Sequence, residues 1–245
     1  MRTYGLIGFP LTHSFSQQYF TQKFFELGIN DAEYFTFSIP DIKDLNEIIA
    51  THPNLCGFNI TIPYKKKVLP FLTHASETVK ALGACNCVHI KNGELFGYNT
   101  DVIGFEKSLQ PFLKPHHQKA LILGTGGAAA AVAYVLGKLN IEFQFVSREA
   151  SELNLSYEQL NAGIIFDHTL IVNTSPVGQY PNINDAPALP YEYLSSQHHL
   201  FDLIYNPNET SFLQQGKTKG ATIQNGFEML VLQAEASWDI WNDIN

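Results

Sequence analysis

The sequence has few cysteines, no long apolar run and no strongly basic segment, and each absence excludes a class of protein. Its three cysteines are an odd number without metal-ligand spacing, so we expect no disulfide framework, no metal site and a reduced, cytoplasmic protein. No apolar stretch approaches the roughly 20 residues of a membrane span, and no secretory signal is evident. The net charge is −8 and the longest basic run is the three lysines at 65–67, which disfavours a nucleic-acid partner.

The residues that are present fit a folded α/β protein. Of the 245 residues 45% are hydrophobic, and 17 are glycine and 12 proline, a composition that argues against a disordered chain. A chain of this length forms one large domain or two domains of about 100–150 residues each.

The most informative stretch is an apolar run followed by glycines and an alanine-rich segment. Residues 121–123 are typical of a buried parallel strand, and residues 128–136 favour a helix. Between them, Gly124, Gly126 and Gly127 allow a tight turn and the close approach of a ligand. The N–H groups at a helix N-terminus suit a pyrophosphate. A glycine turn without a ligand is the alternative, and the strand–turn–helix order favours dinucleotide binding over it.

A second strand, at residues 142–146, completes a βαβ unit. It is followed by Ser147 and Arg148, with no acidic residue at the first position after the apolar run. In this architecture an acidic residue binds the ribose of NAD, whereas an arginine accommodates the 2′-phosphate of NADP. The pattern therefore favours NADP.

Two serines precede the first predicted helix. A strand at residues 3–8 leads towards Ser14 and Ser16, and a helix at residues 17–27 follows. Two hydroxyls beside exposed helix N–H groups form a reasonable cradle for a carboxylate. A plain N-cap that uses one serine is the alternative, and the residues alone favour it slightly.

A lysine and an aspartate follow two other predicted strands. Residues 58–62 alternate apolar side chains with Asn59 and Thr61, and Lys65 lies just past the end of that strand. Ligands of open α/β sheets bind beyond the carboxyl ends of strands, so we expect these side chains to face one cleft. Asp101 follows a strand at residues 95–98, and with Lys65 it could supply and orient the proton that carbonyl reduction requires. A solvated lysine and a helix N-cap are the alternatives.

The rest of the chain continues the alternating pattern. His116 and His117 lie in a proline-containing linker and are predicted to be solvated. A final helix is predicted from Gly226 to Trp241. Further apolar strands with polar or turn residues at their ends, as in a doubly wound sheet, begin at Leu170, Leu200 and Gly220.

Eight motifs, in order along the chain, resemble those of the shikimate dehydrogenase family. The motifs are residues 8–10 with 13–16, 59–65, 83–86, 97–101, 124–128, 173–178, 202–207 and 226–234. The resemblance implies an NADP-linked, reversible reduction of 3-dehydroshikimate to shikimate in aromatic amino-acid and chorismate biosynthesis. It also implies an N-terminal α/β substrate domain with a mixed sheet, a Rossmann-like doubly wound NADP-binding domain, and a C-terminal helix that returns to the substrate domain. We place the first domain at residues 1–101 plus 225–245 and the second at 102–224.

The resemblance assigns roles to individual residues. Lys65 and Asp101 would form the acid–base pair. The substrate would be bound by Ser14, Ser16, Asn59, Thr61, Asn86, Tyr205 and Gln233. The cofactor would be bound by Gly124, Thr125, Gly126, Gly127, Ala128, Ser147, Arg148, Thr174, Ser175, Gly226 and Met229.

The chain departs from the family pattern at two places. Gln17 stands where many members have proline, and Ser147-Arg148-Glu149 stands where NADP-dependent members typically have Asn-Arg-Thr. Glu149 would repel a 2′-phosphate if it points towards the ligand. A quinate/shikimate dehydrogenase that uses NAD, a non-catalytic dinucleotide-binding sensor and, more weakly, a methylene-tetrahydrofolate dehydrogenase are the alternatives. A monomer or a homodimer is expected.

Overall fold

The computed structural model of the chain describes residues 1–11 and 14–244, which form two units. The first unit consists of Met1–Thr100 and Ala234–Asn245, and the second of Asp101–Gln233. The division predicted from the sequence, with breaks after residues 101 and 224, gives the whole last helix to the first unit. In the structure this helix is continuous, beginning in the second unit and ending in the first. Which unit binds which ligand stays a prediction.

The first unit is built on a six-stranded mixed sheet with the strand order β2-β1-β3-β5-β6-β4. The strands are β1 (Arg2–Gly8), β2 (Ala32–Ser38), β3 (Leu55–Ile60), β4 (His74–Ala75), β5 (Cys87–Lys91) and β6 (Glu94–Tyr98). β1 is parallel to β2 and β3, whereas β5 is antiparallel to β3 and β6. The helices that follow β1, β2 and β4 are α1 (Phe15–Glu26), α2 (Leu45–Thr51) and α3 (Glu77–Leu82).

The second unit is built on a fully parallel six-stranded sheet. After α4 (Thr100–Leu109) the chain forms β7 (Lys119–Leu123), α5 (Gly127–Lys138), β8 (Glu142–Ser147), β9 (Asn154–Ser156), α6 (Ala162–Asp167), β10 (Leu170–Asn173), β11 (His199–Asp202), α7 (Ser211–Thr218), β12 (Thr222–Gln224) and α8 (Phe227–Trp241). The strand order is β12-β11-β10-β7-β8-β9. This is the doubly wound order of the Rossmann fold, with its switch point between β7 and β10. The predicted fold class is confirmed.

Buried side chains cover both faces of the first sheet. The neighbouring residues Leu6 and Ile7 of β1 lie in different hydrophobic clusters, as the alternation of side chains along a strand requires. One cluster is aromatic and includes the end of α8, where the rings of Tyr4 and Trp241 stack with their centroids 4.9 Å apart. Gly57 makes this contact possible, because a Cβ atom at that position would lie 2.3 Å from the Trp241 ring. The last helix is thereby packed against the sheet of the first unit.

Two local predictions are wrong. The strand predicted from the alternation of residues 58–62 ends early. β3 stops at Ile60 and the chain then turns, so that the Ile62 side chain is 74% exposed. His117 is not solvated but buried, since its Nε2 contacts the Gln197 carbonyl at 3.3 Å and its Nδ1 accepts from the Lys114 N–H. In the part of the chain that the structure describes, no helix is both long and apolar enough to cross a membrane.

Candidate active site

The glycine turn between β7 and α5 has the geometry of an anion-binding loop. Gly124 has a φ of +107°, and a Cβ atom there would lie 2.8 Å from Thr174 Oγ1, so only glycine fits. Gly126 is the N-cap of α5 and contributes no side-chain hydrogen bond to the helix. A Cβ atom at Gly126 or Gly127 would meet nothing within 4 Å, so this side of the turn is open. The first N–H groups of α5 therefore have no side-chain cap and can donate hydrogen bonds to an anion.

The loop that follows β10 is tied to β7 beside this turn. The N–H and the hydroxyl of Thr174 both donate to the Leu123 carbonyl, at 2.9 and 2.8 Å. The N–H and the hydroxyl of Ser175 both donate to Asn173 Oδ1, at 3.1 and 2.7 Å. Thr174 and Ser175 are thus held at the switch point of the sheet by neighbours on two strands.

A buried carboxylate supports this loop from the neighbouring strand. Asp202, at the end of β11, is fully buried and accepts hydrogen bonds from Asn173 Nδ2 at 3.0 Å, Thr210 Oγ1 at 2.6 Å and the Ile204 N–H at 3.1 Å. Burial raises the pKa of Asp202 to about 6, although these hydrogen bonds act in the opposite direction. The carboxylate connects the loops after β10 and β11 to the start of α7.

The loops at this edge of the sheet enclose a cleft of about 730 Å³. Seven of the predicted cofactor residues line it: Gly124, Thr125, Gly126, Ser147, Arg148, Thr174 and Ser175. Four others complete the lining: Glu149, Tyr157, Pro176 and Val177. Tyr157, Pro176 and Val177 were not among the predicted cofactor residues, although Pro176 and Val177 belong to the predicted motif at residues 173–178. The cleft thus brings Arg148 and Glu149, with their opposite charges, to the same ligand space.

Four predicted cofactor residues lie outside the lining of this cleft. Gly127 and Ala128 form the first turn of α5, whereas Gly226 and Met229 lie at the start of α8. Gly226 packs so closely that a Cβ atom would lie 2.1 Å from the Leu203 carbonyl oxygen. The cofactor-binding roles of all eleven residues stay predictions.

Ser14 and Ser16 begin α1 in the first unit, and the other residues of their motif include His13, which lies outside the described residues. Ser14 is the N-cap, and its Oγ accepts from the Gln17 N–H at 3.1 Å. Its hydroxyl hydrogen is not used in this contact and can donate to a ligand. The Ser16 side chain is half-buried in the first turn of α1. The N-cap alternative therefore describes Ser14 without excluding the predicted binding role.

Asn59 belongs to a buried hydrogen-bond network within the first unit. Its Oδ1 accepts from the Tyr34 hydroxyl at 3.0 Å, and its Nδ2 donates to Ser237 Oγ at 2.8 Å and to the Asn86 carbonyl at 3.3 Å. Asn59 is only 4% exposed. The network ties β2, the end of β3 and Asn86 to α8.

Asn86 fixes the start of α4, on which Asp101 lies. Its Oδ1 accepts from the Thr100 N–H at 2.6 Å, and its Nδ2 donates to Thr100 Oγ1 at 3.0 Å. Asp101 is therefore in the first turn of the helix, and not its N-cap. The pair Asn86 and Thr100 sets the position from which the Asp101 side chain leaves the backbone.

Lys65 differs from the two lysines that follow it. It is half-buried, whereas Lys66 and Lys67 are exposed, and its carbonyl accepts from the Cys85 N–H at 2.8 Å. Thr61 marks the turn after β3, where its carbonyl accepts from the Tyr64 N–H at 2.9 Å. The partial burial of Lys65 distinguishes it from a freely solvated lysine.

The two remaining predicted substrate residues lie in the second unit. Tyr205 follows β11 and is 42% exposed. Gln233, on α8, is 8% exposed and donates to the Leu230 carbonyl at 2.9 Å. No cluster of three potential metal ligands occurs among residues 1–11 and 14–244.

Comparison with known proteins agrees with the fold. A family model described as the shikimate dehydrogenase substrate binding domain matches residues 6–88. The shikimate dehydrogenase (NADP(+)) of Methanococcus vannielii is 36% identical to this chain, in an alignment that covers 97% of this chain and 90% of the relative.

Two solved structures extend the comparison to bound ligands. The shikimate 5-dehydrogenase of Thermus thermophilus, in complex with NADP(H) and shikimate, has a TM-score of 0.86 at 28% identity, over 99% of this chain and 94% of that one. The quinate dehydrogenase of Corynebacterium glutamicum, in complex with NAD, has a TM-score of 0.88 at 25% identity, over 99% and 94%.

The Rossmann-like unit, with its uncapped glycine turn and the arginine that follows β8, is typical of a dinucleotide-dependent oxidoreductase. Together with the full-length similarity, it shows that the chain belongs to the shikimate dehydrogenase family.

Proposed function

We propose that this chain catalyses the reversible, NADP-dependent reduction of 3-dehydroshikimate to shikimate. The observation that carries the proposal is the cleft at the switch point, where an open glycine turn and Arg148 face the same space. A pyrophosphate fits the uncapped N-terminus of α5, and the guanidinium of Arg148 suits a 2′-phosphate. The residues of the second unit therefore fit NADP, whose reduced form, NADPH, would supply the hydride for the reduction.

The chain's own residues supply binding and proton transfer in this proposal. Ser14 and Ser16 hold the substrate carboxylate. Thr61, Asn86, Tyr205 and Gln233 orient its ring hydroxyls, and Asn59 supports Asn86 through a buried hydrogen bond to its carbonyl. Lys65 and Asp101 are the groups that we assign to proton transfer at the carbonyl oxygen. Hydrogen bonds to several hydroxyls select a polyhydroxylated acid, because an analogue that lacks one leaves polar groups of the site unpaired.

The assignment of Lys65 is tested by comparing Lys65→Ala with Lys66→Ala. Loss of a general acid or base lowers turnover by about 10²–10⁴, so we expect that loss in kcat for Lys65→Ala, with the Kd for shikimate changed only a few-fold. Lys66 is the matched control, because it is exposed and adjacent, and its variant should keep full turnover. Equal turnover in the two variants would contradict the role of Lys65.

Glu149 favours a second candidate, an enzyme that uses NAD with shikimate or quinate. Its exposed side chain lines the cleft beside Arg148, where a carboxylate disfavours the 2′-phosphate. We expect Glu149→Thr to lower the KM for NADP threefold to tenfold, which corresponds to about 1 kcal/mol of exposed charge repulsion. Glu152→Gln, also exposed but outside the cleft lining, is the control. A wild-type preference for NAD that Glu149→Thr does not reverse would favour the second candidate.

We also propose that the protein is cytoplasmic and either a monomer or a homodimer. None of the three cysteines forms a disulfide, and Cys85 and Cys87 are buried, which is typical of a protein kept in a reducing compartment. Light scattering on the purified chain would distinguish the monomer from the dimer.

A further inference from the structure

Residues 147–154, which connect β8 to β9 and which we call the arginine turn, are closed by side-chain hydrogen bonds. The Ser147 hydroxyl donates to the Glu149 carbonyl at 2.5 Å. Asn154, the first residue of β9, donates from Nδ2 to Ser147 Oγ and to the same Glu149 carbonyl, both at 2.6 Å. Arg148 therefore lies between Ser147 and Glu149, and Asn154 hydrogen-bonds both of these neighbours directly.

The chemistry of these groups fixes the direction of each hydrogen bond. A carbonyl only accepts, so the Ser147 hydroxyl donates its single hydrogen to the Glu149 carbonyl. The two hydrogens of the Asn154 amide are donated to Ser147 Oγ and to that same carbonyl. Asn154 Oδ1 in turn accepts from the Ser151 hydroxyl. Turning the amide over would place Oδ1 against the Glu149 carbonyl, two acceptors facing each other, so the observed orientation is the one the neighbours require.

This arrangement changes the role expected for Ser147. Its hydroxyl has no hydrogen left to donate to a phosphate, although the family resemblance places Ser147 among the cofactor-binding residues. Arg148 is exposed, and no carboxylate of the described residues lies within ion-pair distance of its guanidinium. The positive charge available to a 2′-phosphate at this turn is thus that of Arg148, which lies on a backbone that is already ordered.

We propose that Asn154 is a positioning residue for NADP, which holds the arginine turn in the conformation that binds the 2′-phosphate. The inference rests on the proposed NADP dependence and adds to it a residue on a strand outside the glycine turn. When the turn is already ordered, ligand binding does not have to order it. When the turn is disordered, the ligand binds more weakly, by about the free energy of fixing the backbone of one residue. Asn154 acts through Arg148 and not by contact with the ligand.

The test is calorimetric titration with adenosine 2′,5′-bisphosphate and with adenosine 5′-monophosphate, which lacks the 2′-phosphate. Asn154→Ala should weaken binding of the bisphosphate about tenfold, the loss expected when one residue must be ordered on binding. Binding of the monophosphate should change less than twofold. Leu153→Ala is the matched control, because that side chain belongs to the same turn and is 81% exposed, and it should change neither affinity.

A second variant separates positioning from direct contact. If Ser147 acts only within the turn, Ser147→Ala combined with Asn154→Ala should weaken bisphosphate binding no more than Asn154→Ala alone, because both remove the same network. A partly unfolded variant lowers the stoichiometry for both ligands and leaves their affinity ratio unchanged.

The outcomes distinguish the inference from the function on which it rests. An unchanged affinity ratio in Asn154→Ala, in a wild-type protein that prefers the bisphosphate, would overturn the role of Asn154 alone. Fully additive losses in the double variant would also overturn it. A wild-type protein without preference for the bisphosphate would overturn the NADP proposal and the inference together.

Discussion

Replacing Asp202 with asparagine should flatten the pH dependence of the protein's stability. Burial raises the pKa of this carboxyl from 3.8 to about 6, against the opposing hydrogen bonds of Thr210, the Ile204 N–H and Asn173. A carboxyl whose pKa is higher in the folded than in the unfolded chain favours folding while it is protonated. Its contribution is complete below pH 3.8 and is lost as the pH rises through about 6.

The size of the effect follows from the two pKa values. The interval from 3.8 to about 6, at about 1.4 kcal/mol for each pH unit, corresponds to about 3 kcal/mol of unfolding free energy. About 2 kcal/mol of that loss falls between pH 4.5 and pH 7. Asparagine does not ionise, has nearly the same shape and keeps an acceptor oxygen for Asn173 and the Ile204 N–H. The variant therefore lacks this loss.

Urea unfolding followed by circular dichroism, at pH values from 4.5 to 7, measures the difference. The unfolding free energy of the wild type should fall, relative to that of Asp202→Asn, by about 2 kcal/mol over this range. Asp185→Asn, which changes an exposed carboxylate in the same unit, should keep the wild-type slope. If the unfolding free energies of the wild type and Asp202→Asn changed in parallel with pH, the argument that burial destabilises the ionised form of Asp202 would be refuted.

Two further substitutions test the turn and the buried network. Gly124→Ala should cost about 1–3 kcal/mol of stability and raise the KM for NADP, because φ is positive and the new Cβ meets Thr174. Gly137→Ala is the control and should not destabilise the protein, because Gly137 lies in the last turn of α5 and a Cβ atom there would meet nothing within 4 Å. Equal unfolding midpoints for the two variants would contradict this. Tyr34→Phe should cost about 1–3 kcal/mol in urea unfolding, because it leaves the buried Asn59 Oδ1 without its hydroxyl donor. An unchanged midpoint would show that the network contributes little.

Local patterns predicted the elements whose stability comes from neighbouring residues. The strand, glycine turn and helix from Lys119 to Lys138 are continuous in sequence, and their boundaries in the structure lie close to those predicted. The same holds for the strand ends that carry Thr174 and Asp202, because apolar runs followed by polar residues mark the carboxyl ends of buried strands.

Contacts between distant residues could not be predicted in this way. Asn154 begins a three-residue edge strand in a polar segment with no periodicity, and its function as an anchor depends on folding back onto Ser147. His117 is buried where its ring contacts the carbonyl of Gln197, a residue 80 positions further along the chain. The alternation up to Ile62 resembles a strand, yet the turn after Ile60 buries the Tyr64 side chain, whose hydroxyl donates to the Ile39 carbonyl. Each depends on tertiary structure that a local pattern does not contain.

Initial rates of shikimate oxidation, measured with NADP and with NAD at matched concentrations, test the central claim most directly. We predict a clear rate with NADP that exceeds the rate with NAD, because Arg148 outweighs Glu149 in the cleft. A higher rate with NAD, or with quinate as the substrate, would move the chain to the quinate/shikimate branch with the same fold. No rate with either cofactor would contradict the assignment of a catalytic function.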